Sequence, residues 1–225
     1  MFVAPYHQST DPATGPQVTI YHGDALERPA PAPRRHLRRR HTDPPYGTQP
    51  KSGGYGRQHR RILNDTAPFI WFLWDAFRFL KPNGCALVFC RWDVQSAWET
   101  AMLTAGFNLK SQLVWDRECH SMGDLSGSFA PQHDLMWFGT KGKFKFHDGR
   151  PRSLLRAQRI PGSRLVHPNE KPVDLMEQLI EPLVPEGGLV LDPFMGSGST
   201  LVAAQRLGRN AVGIELDERY CEVAA

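Results

Sequence analysis

The sequence predicts an α/β fold built on a mainly parallel sheet. Two observations carry that expectation. Apolar runs of strand length alternate with helix-length segments along most of the 225 residues, the pattern of strands joined by crossover helices. In addition, "LVLDPFMGSGST", Leu189–Thr200, joins an apolar strand to a helix through a glycine-rich turn. Open α/β sheets bind ligands at such junctions. The length suits a single domain, residues 1–225.

In chain order, Val18–Tyr21 reads as a short strand ending in Gly23 and Asp24. Residues 28–41 are rich in proline and arginine and have no period. Pro68–Leu80, "PFIWFLWDAFRFL", is apolar all round at helical length. Pro68 suits its first turn, and "KPNG" stops it. "CALVFC", Cys85–Cys90, is a short apolar run with the look of a fully buried strand. Val94–Ala105 reads as a helix ended by Gly106. "SQLVWD" and "DLMWFGTK" are two further strands, with residues 116–133 as the loop between them. Residues 142–166 are basic and irregular. Pro172–Val184 is a helix. The closing unit is strand, glycine turn, amphipathic helix and strand, with Leu201, Val202, Ala204 and Leu207 expected inward.

Composition excludes several classes. No apolar run approaches the roughly 18 residues of a membrane helix. The N-terminus has no basic start followed by an apolar stretch, so no signal peptide is expected and the location is expected to be cytoplasmic. Cys85, Cys90, Cys119 and Cys221 form no C-x-x-C pair, and no histidine pair has ligand spacing. No metal site is expected. None of the cysteines follows a proline, which argues against a Pro-Cys nucleophile attacking a cytosine carbon. The net charge of +4 is local in origin. Residues 34–41 hold five arginines and no acid, and without them 22 basic side chains face 23 acidic ones. A more telling patch is Gly47–Arg61, where Lys51, Arg57, Arg60 and Arg61 sit among glycines with no acid. It reads either as a solvated loop or as a phosphate-contacting one.

The glycine turn has the chemistry of a cofactor site. The strand before it ends at Asp192. Gly196 and Gly198 let backbone amides approach a ligand. Ser199 is expected to cap the next helix, whose N-terminus favours negative charge. Glu215 ends the following strand, 19 residues after Gly196, where an acid binds ribose hydroxyls in Rossmann-like folds. No lysine follows the second glycine, and no third glycine completes a dinucleotide fingerprint. A ribose without a pyrophosphate fits this pattern. S-adenosylmethionine qualifies, with its amino group as a partner for an acid near the turn, such as Asp192.

"TDPPYG", Thr42–Gly47, supplies a carboxylate, a stiff Pro-Pro backbone and an aromatic ring. Methylating an exocyclic base amine needs these parts. The amine's lone pair is delocalised into the ring. Two acceptors on its N–H bonds, the Asp43 carboxylate and the Pro44 carbonyl, favour the tetrahedral form and free that pair for the sulfonium methyl. The prolines fix φ and so aim the carbonyl in advance. Tyr46 suits stacking on an extruded base.

Here the chain resembles amino-methylating DNA methyltransferases of the permuted β class, notably compact phage and prophage enzymes. The resemblance runs from about Val18 to the C-terminus. It rests on "HGDAL", "TDPPYG", "LKPNGCALVFC", "QHDLMWFGTKG", "HPNEKP" and "LDPFMGSGST" in that order. It implies a Rossmann-like, circularly permuted fold, the cofactor S-adenosyl-L-methionine and double-stranded DNA as substrate. It implies that Asp24 binds the cofactor adenine and Glu215 the ribose. Phe194, Gly196, Gly198, Ser199 and Thr200 would surround the methionine part, and His167, Lys171 and Pro172 would close over the cofactor. Asp43, Pro44, Pro45 and Tyr46 match the catalytic tetrapeptide. The target-recognition region falls at about 143–166. Asp at the head of the tetrapeptide leans to adenine N6, with cytosine N4 as the alternative. A homodimer and a cognate restriction endonuclease are candidate partners. Methylation of RNA, or of a protein glutamine, for which Asn before the prolines is preferred, ranks lower.

One departure stands out. The family has an apolar strand such as "FDAVIT" before the tetrapeptide, and this chain has "LRRRHT". Two readings are open: a nucleic-acid-binding arm, or a local reading-frame slip. Arginine codons CGN read one base later, with C following, become GNC, encoding Asp, Ala, Gly or Val. With suitable codons "RRHLRRRH" becomes "AGTFDAVI". A catalytically impaired nucleic-acid-binding protein is therefore the reading from another class.

Overall fold

The computed structural model describes residues 4–10, 15–25, 39–42 (as backbone), 69–120 and 126–225. Along the chain these form β1 (His7–Thr10), β2 (Gln17–His22), β3 (Arg39–Thr42), α1 (Phe72–Phe79), β4 (Cys85–Cys90), α2 (Gln95–Ala105) and β5 (Asn108–Asp116). There follow β6 (His133–Thr140), β7 (Leu154–Arg156), α3 (Val173–Ile180), β8 (Leu189–Asp192), α4 (Ser199–Arg206), β9 (Asn210–Glu215) and α5 (Glu218–Ala224). The strands make one sheet in the order β1-β2-β9-β8-β3-β4-β6-β5-β7. Only β1 and β6 run against the rest, so the sheet is mainly parallel, as the alternation of elements predicts.

The sheet is covered on both faces. "CALVFC" is buried at all six positions and serves both cores. Cys85, Leu87 and Phe89 pack with Leu175, Leu179 and Ile180 of α3 and with Leu201 and Ala204 of α4. Ala86, Val88 and Cys90 pack on the other face with Leu73 and Ala76 of α1 and Trp98 and Met102 of α2. Continuous apolar runs are what a strand buried on both faces requires. Gly106 ends α2 at φ 104°, with its N–H bonded to Leu103 O and Met102 O. A left-handed stop of this kind favours glycine.

Several elements differ from the sequence expectation. Val202 of α4 is 39% exposed, whereas Leu201 and Ala204 are buried. The helix begins at Ser199, and the cap position is Gly198 in left-handed conformation with no side-chain cap bond. Ser199 is therefore not the cap. Residues 142–166 are not wholly irregular, because β7 pairs in parallel with β5 as the outer strand. The C-terminal helix α5 was not expected. It is capped by Asp217, whose side chain accepts from Arg219 N, an interaction worth about 1 kcal/mol.

The sharpest difference concerns β3. The arginine-rich segment ends in a strand, Arg39–Thr42, that is the fifth of the nine. It pairs with β4, Arg39 opposite Cys85 through Thr42 opposite Val88, and with β8, Arg39 opposite Val190 and Arg40 opposite Leu191. Its last three residues, 39–41, are thus sheet backbone. Residues 34–38 lie outside the described residues. A strand position between two buried strands asks for apolar, β-prone side chains, and an unpaired buried charge costs several kcal/mol per ion. Replacing residues 34–41 by "AGTFDAVI" is therefore expected to raise the melting temperature by on the order of 10 °C. A thermal melt of both versions checks it, and an unchanged or lower melting temperature counts against the slip. The coding DNA offers a second check, since a slip requires paired single-base indels flanking the segment relative to close relatives.

Candidate cofactor cleft and catalytic edge

The carboxyl ends of β2, β9, β8, β3 and β4 lie along one edge of the sheet, as the parallel registers require. From β8 the chain passes through α4 to β9 on one side. From β3 it passes through α1 to β4 on the other. Adjacent strands whose connections diverge open a crevice between their carboxyl ends. The glycine turn leaves β8 at that point, and "DPPY" leaves β3 beside it, since Asp43 follows Thr42. Asp43, Pro44, Pro45 and Tyr46 lie outside the described residues, as do Lys51, Arg57, Arg60 and Arg61.

A cleft opens at this edge. Asp24 lines it from the end of β2, Asp192, Phe194, Gly196, Ser199 and Thr200 from the glycine turn, and Glu215 from the end of β9. His167 and Lys171 close it from the segment before α3. These expected residues are brought together. Gly198 and Pro172 do not contribute to the wall. Tyr220 of α5, Asn169, Met195 and Asp217 do, and the sequence reading missed them. Tyr220 was missed because α5 was missed. Its ring meets the His167 ring edge-on at 4.4 Å.

The turn is held by carboxylates. Asp192, 3% exposed, accepts from Thr200 Oγ1 at 2.6 Å and from Phe194 N at 3.1 Å. Glu215 accepts from Gly196 N at 3.0 Å and from Asp217 N at 2.9 Å. Leu216 also bonds the carboxylate through its backbone, which leaves about one of its roughly four acceptor sites for a ligand hydroxyl. Phe194 carries the turn across the seam. Its ring packs edge-on against Phe72 of α1 at 4.9 Å and Phe69 at 5.8 Å. Lys171 is 9% exposed. Its Nζ donates to Asn169 O at 3.2 Å and lies 5.1 Å from the Phe89 ring at the end of β4. The cleft thus has acids at the β2 and β9 ends, hydroxyls and an ammonium at the other, and aromatic walls. That donor set fits a nucleoside bearing an amino acid tail.

The two glycines serve different neighbours. A side chain at Gly196, φ 53°, would meet the His167 ring at 3.2 Å. One at Gly198, φ 87°, would meet Ala224 Cβ of α5 at 2.9 Å. Gly198 therefore gives room to α5. Burial pushes the Cys90 and Cys221 thiols up to about 12, so neither offers a thiolate. Among the described residues no cluster is arranged to hold a metal ion, and no helix is long and apolar enough to cross a membrane.

A sequence model of the N6/N4 methyltransferases, described as DNA methylase, matches residues 40–225. YubD of Escherichia coli (strain K12) is 34% identical over 182 residues, covering 80% of this chain and 76% of YubD. The type II methyltransferase M.HpaI of Haemophilus parainfluenzae is 28% identical over 209 residues, and the match spans 81% of this chain and 65% of M.HpaI. Among solved structures, the M1.HpyAVI–SAM complex superposes with a TM-score of 0.73 at 25% identity, covering 92% of this chain and 97% of that one. The PvuII DNA methyltransferase (cytosine-N4-specific) superposes with a TM-score of 0.74 at 20% identity, over 92% and 84% of the two chains. At that identity the likeness speaks to the fold and not to the base.

Two predictions follow from this geometry. Gly198→Val is expected to lower the melting temperature by roughly 5–10 °C through φ strain and the Ala224 contact. Adding Ala224→Gly should recover part of the loss, and no recovery would remove the helix contact as the cause. Glu215 supplies a pH dependence. Burial raises its pKa above the ordinary carboxylate value, outweighing the amide bonds from Asp217, Gly196 and Leu216. A raised carboxylate pKa favours the apo fold at low pH, and that contribution fades as pH rises through the folded value. Cofactor binding has the opposite sign, since a ribose hydroxyl needs the carboxylate. Cofactor affinity is expected to fall on acidification at a pH above the ordinary glutamate range. Titration calorimetry across pH should show Glu215→Gln binding weakly and without that limb.

Proposed function

The chain belongs to the N6/N4 family of DNA methylases, and from that premise we propose that it transfers a methyl group to the N6 amine of adenine in double-stranded DNA. The enzyme is S-adenosyl-L-methionine-dependent, and the bound cofactor supplies an electrophilic methyl group on a sulfonium. The observation that carries the reading is the seam between β8 and β3. The glycine turn and the strand leading to "DPPY" share it, so cofactor and target amine meet at one crevice.

The residues divide the work. Asp24 takes the adenine end of the cofactor and Glu215 the ribose. Asp192, Phe194, Gly196, Ser199 and Thr200 surround the amino acid tail, while His167 and Lys171 cover it. Asp43 and the Pro44 carbonyl accept the two amine hydrogens, which turns the lone pair toward the methyl group. Pro45 stiffens the backbone and Tyr46 stacks on the extruded base. As the methyl–nitrogen bond would form, the sulfur–methyl bond would break with its electron pair left on a neutral thioether, and the surplus amine proton would pass to Asp43 or to water. The rest is in-line positioning. Lys51, Arg57, Arg60 and Arg61 follow the tetrapeptide directly in sequence, which supports a role on phosphates. Residues 143–166 supply base reading.

Asp43 at the head of the tetrapeptide favours adenine over cytosine N4. Digesting methylated product to nucleosides and weighing each base separates the two, and methylcytosine alone would overturn the adenine reading. Asp43→Ala is expected to lower methyl transfer by at least about 100-fold while cofactor affinity stays near wild type. Near-normal turnover in that variant would remove Asp43 from the chemistry.

A further inference from the structure

An amine inside a duplex is out of reach until its base leaves the stack, and the gap it leaves must be filled or tolerated. The segment joining β5 to β6 is placed to act there. Its ends, Asp116 and His133, face each other at the carboxyl edge of the sheet. Beside them Leu135 faces Cys90, the carboxyl end of β4, and β4 neighbours β3. Strands lie about 4.8 Å apart, so β6 and β5 stand roughly 10–14 Å from β3. That is comparable to the roughly 12 Å width of a DNA major groove.

The segment is rooted, and one of its described side chains is bare. Arg117 N donates to Gln132 O at 3.0 Å, and Arg117 Nη2 donates to Pro131 O at 2.6 Å. Gln132 Nε2 donates to Asp116 Oδ1 at 2.9 Å, and Arg117 lies 3.8 Å from Asp134. Just before this brace stands Phe129, at 101% relative exposure the barest large apolar side chain among the described residues. Folding gains nothing from a phenyl ring held in water on a braced loop. A base stack would cover both of its faces.

We propose that Phe129 is the wedge that enters the stack where the target base has left it. The proposal rests on the reading that the chain methylates a base amine in duplex DNA. Phe129 thereby holds the open duplex against re-pairing and is a positioning residue, without contact to the methyl group. The loop lies on the same edge as the carboxyl end of β3, after which "DPPY" follows in sequence, so extruded base and wedge would approach the duplex from one side.

The test uses the full chain and a duplex bearing its target sequence, read from plasmid DNA methylated on co-expression. Three duplexes carry the target base paired, mismatched, or opposite an abasic site. Phe129→Ala is expected to lose about 10–100-fold in kcat/KM on the paired duplex and under about threefold on the other two, where extrusion costs less. Phe129→Trp should retain activity, and cofactor affinity should not change. Leu103→Ala, an exposed apolar change at the far end of α2, should alter none of these. With 2-aminopurine at the target position, wild type should brighten the probe on binding and Phe129→Ala should do so less. Equal loss on all three duplexes, or no loss on the paired one, overturns the wedge. So does transfer of this pattern to Trp92→Ala, a 64% exposed ring just beyond β4 on the same edge. A chain that methylates no duplex, both as it stands and with residues 34–41 replaced by "AGTFDAVI", sinks the functional reading itself, whereas methylcytosine as product changes the base and leaves the wedge standing.

Discussion

The structure turns on one adjacency, β8 beside β3. Every parallel sheet has strand ends, but only neighbours whose connections diverge leave open space between them. Here the two loops that diverge are the glycine turn and the tetrapeptide. Methyl transfer asks for two reactants in line at contact distance, and most of its barrier reduction is positional. A sheet that puts both loops at one crevice meets that demand through backbone hydrogen bonds, before any side chain acts. The circular order of the chain, with tetrapeptide before glycine turn, leaves this unaffected because adjacency in space is what matters.

Around the crevice, few contacts have a single purpose. Asp192 ends β8 and ties the turn through Thr200 and Phe194 N. Phe194 then reaches across to Phe69 and Phe72, which belong to the catalytic half. Lys171 comes from the cover over the cofactor and sits by Phe89 at the end of β4. α5 packs Ala224 against Gly198 and Tyr220 against His167, so the last helix supports both the turn and its cover. Cofactor and catalytic halves are thereby mechanically joined at the points where ligand atoms would lie.

Much of this was legible in the sequence, for physical reasons. "CALVFC" has no polar residue, and a strand buried on both faces leaves that signature. The glycine turn was legible because Gly196 stands at positive φ and Glu215 follows at the spacing of a βαβ unit. The misses have causes too. β1 is a short edge strand with an alternating, half-exposed pattern, and β7 has three residues, too few for any period. α5 has seven residues and little apolar contrast. Val202 was misjudged because a helix of eight residues defines its buried face by only a few positions. The helix beside Gly198 was not legible because the sequence shows that a glycine is needed, and only the structure shows that its neighbour is Ala224.

β3 is where local sequence and global fold disagree, and the disagreement sits at the seam. To one side lie β1, β2, β9 and β8 with the cofactor residues. To the other lie β4, β6, β5 and β7 with the segment that carries Phe129. The strands that flank β3, namely β4 and β8, are largely apolar and buried as their places require, and natural sequences are usually consistent across such levels. The inconsistency is confined to the one strand that both halves use as a partner. A fault there acts on the distance between halves more than on either half alone. Cofactor affinity, built from β2, β8, β9 and α5, is then separable from methyl transfer, which also needs β3 in register between Leu191 and Ala86. That separation distinguishes a damaged seam from a fold that never had the activity. The first keeps a cofactor site with the Glu215 pH dependence, and the second has no physical reason to keep one.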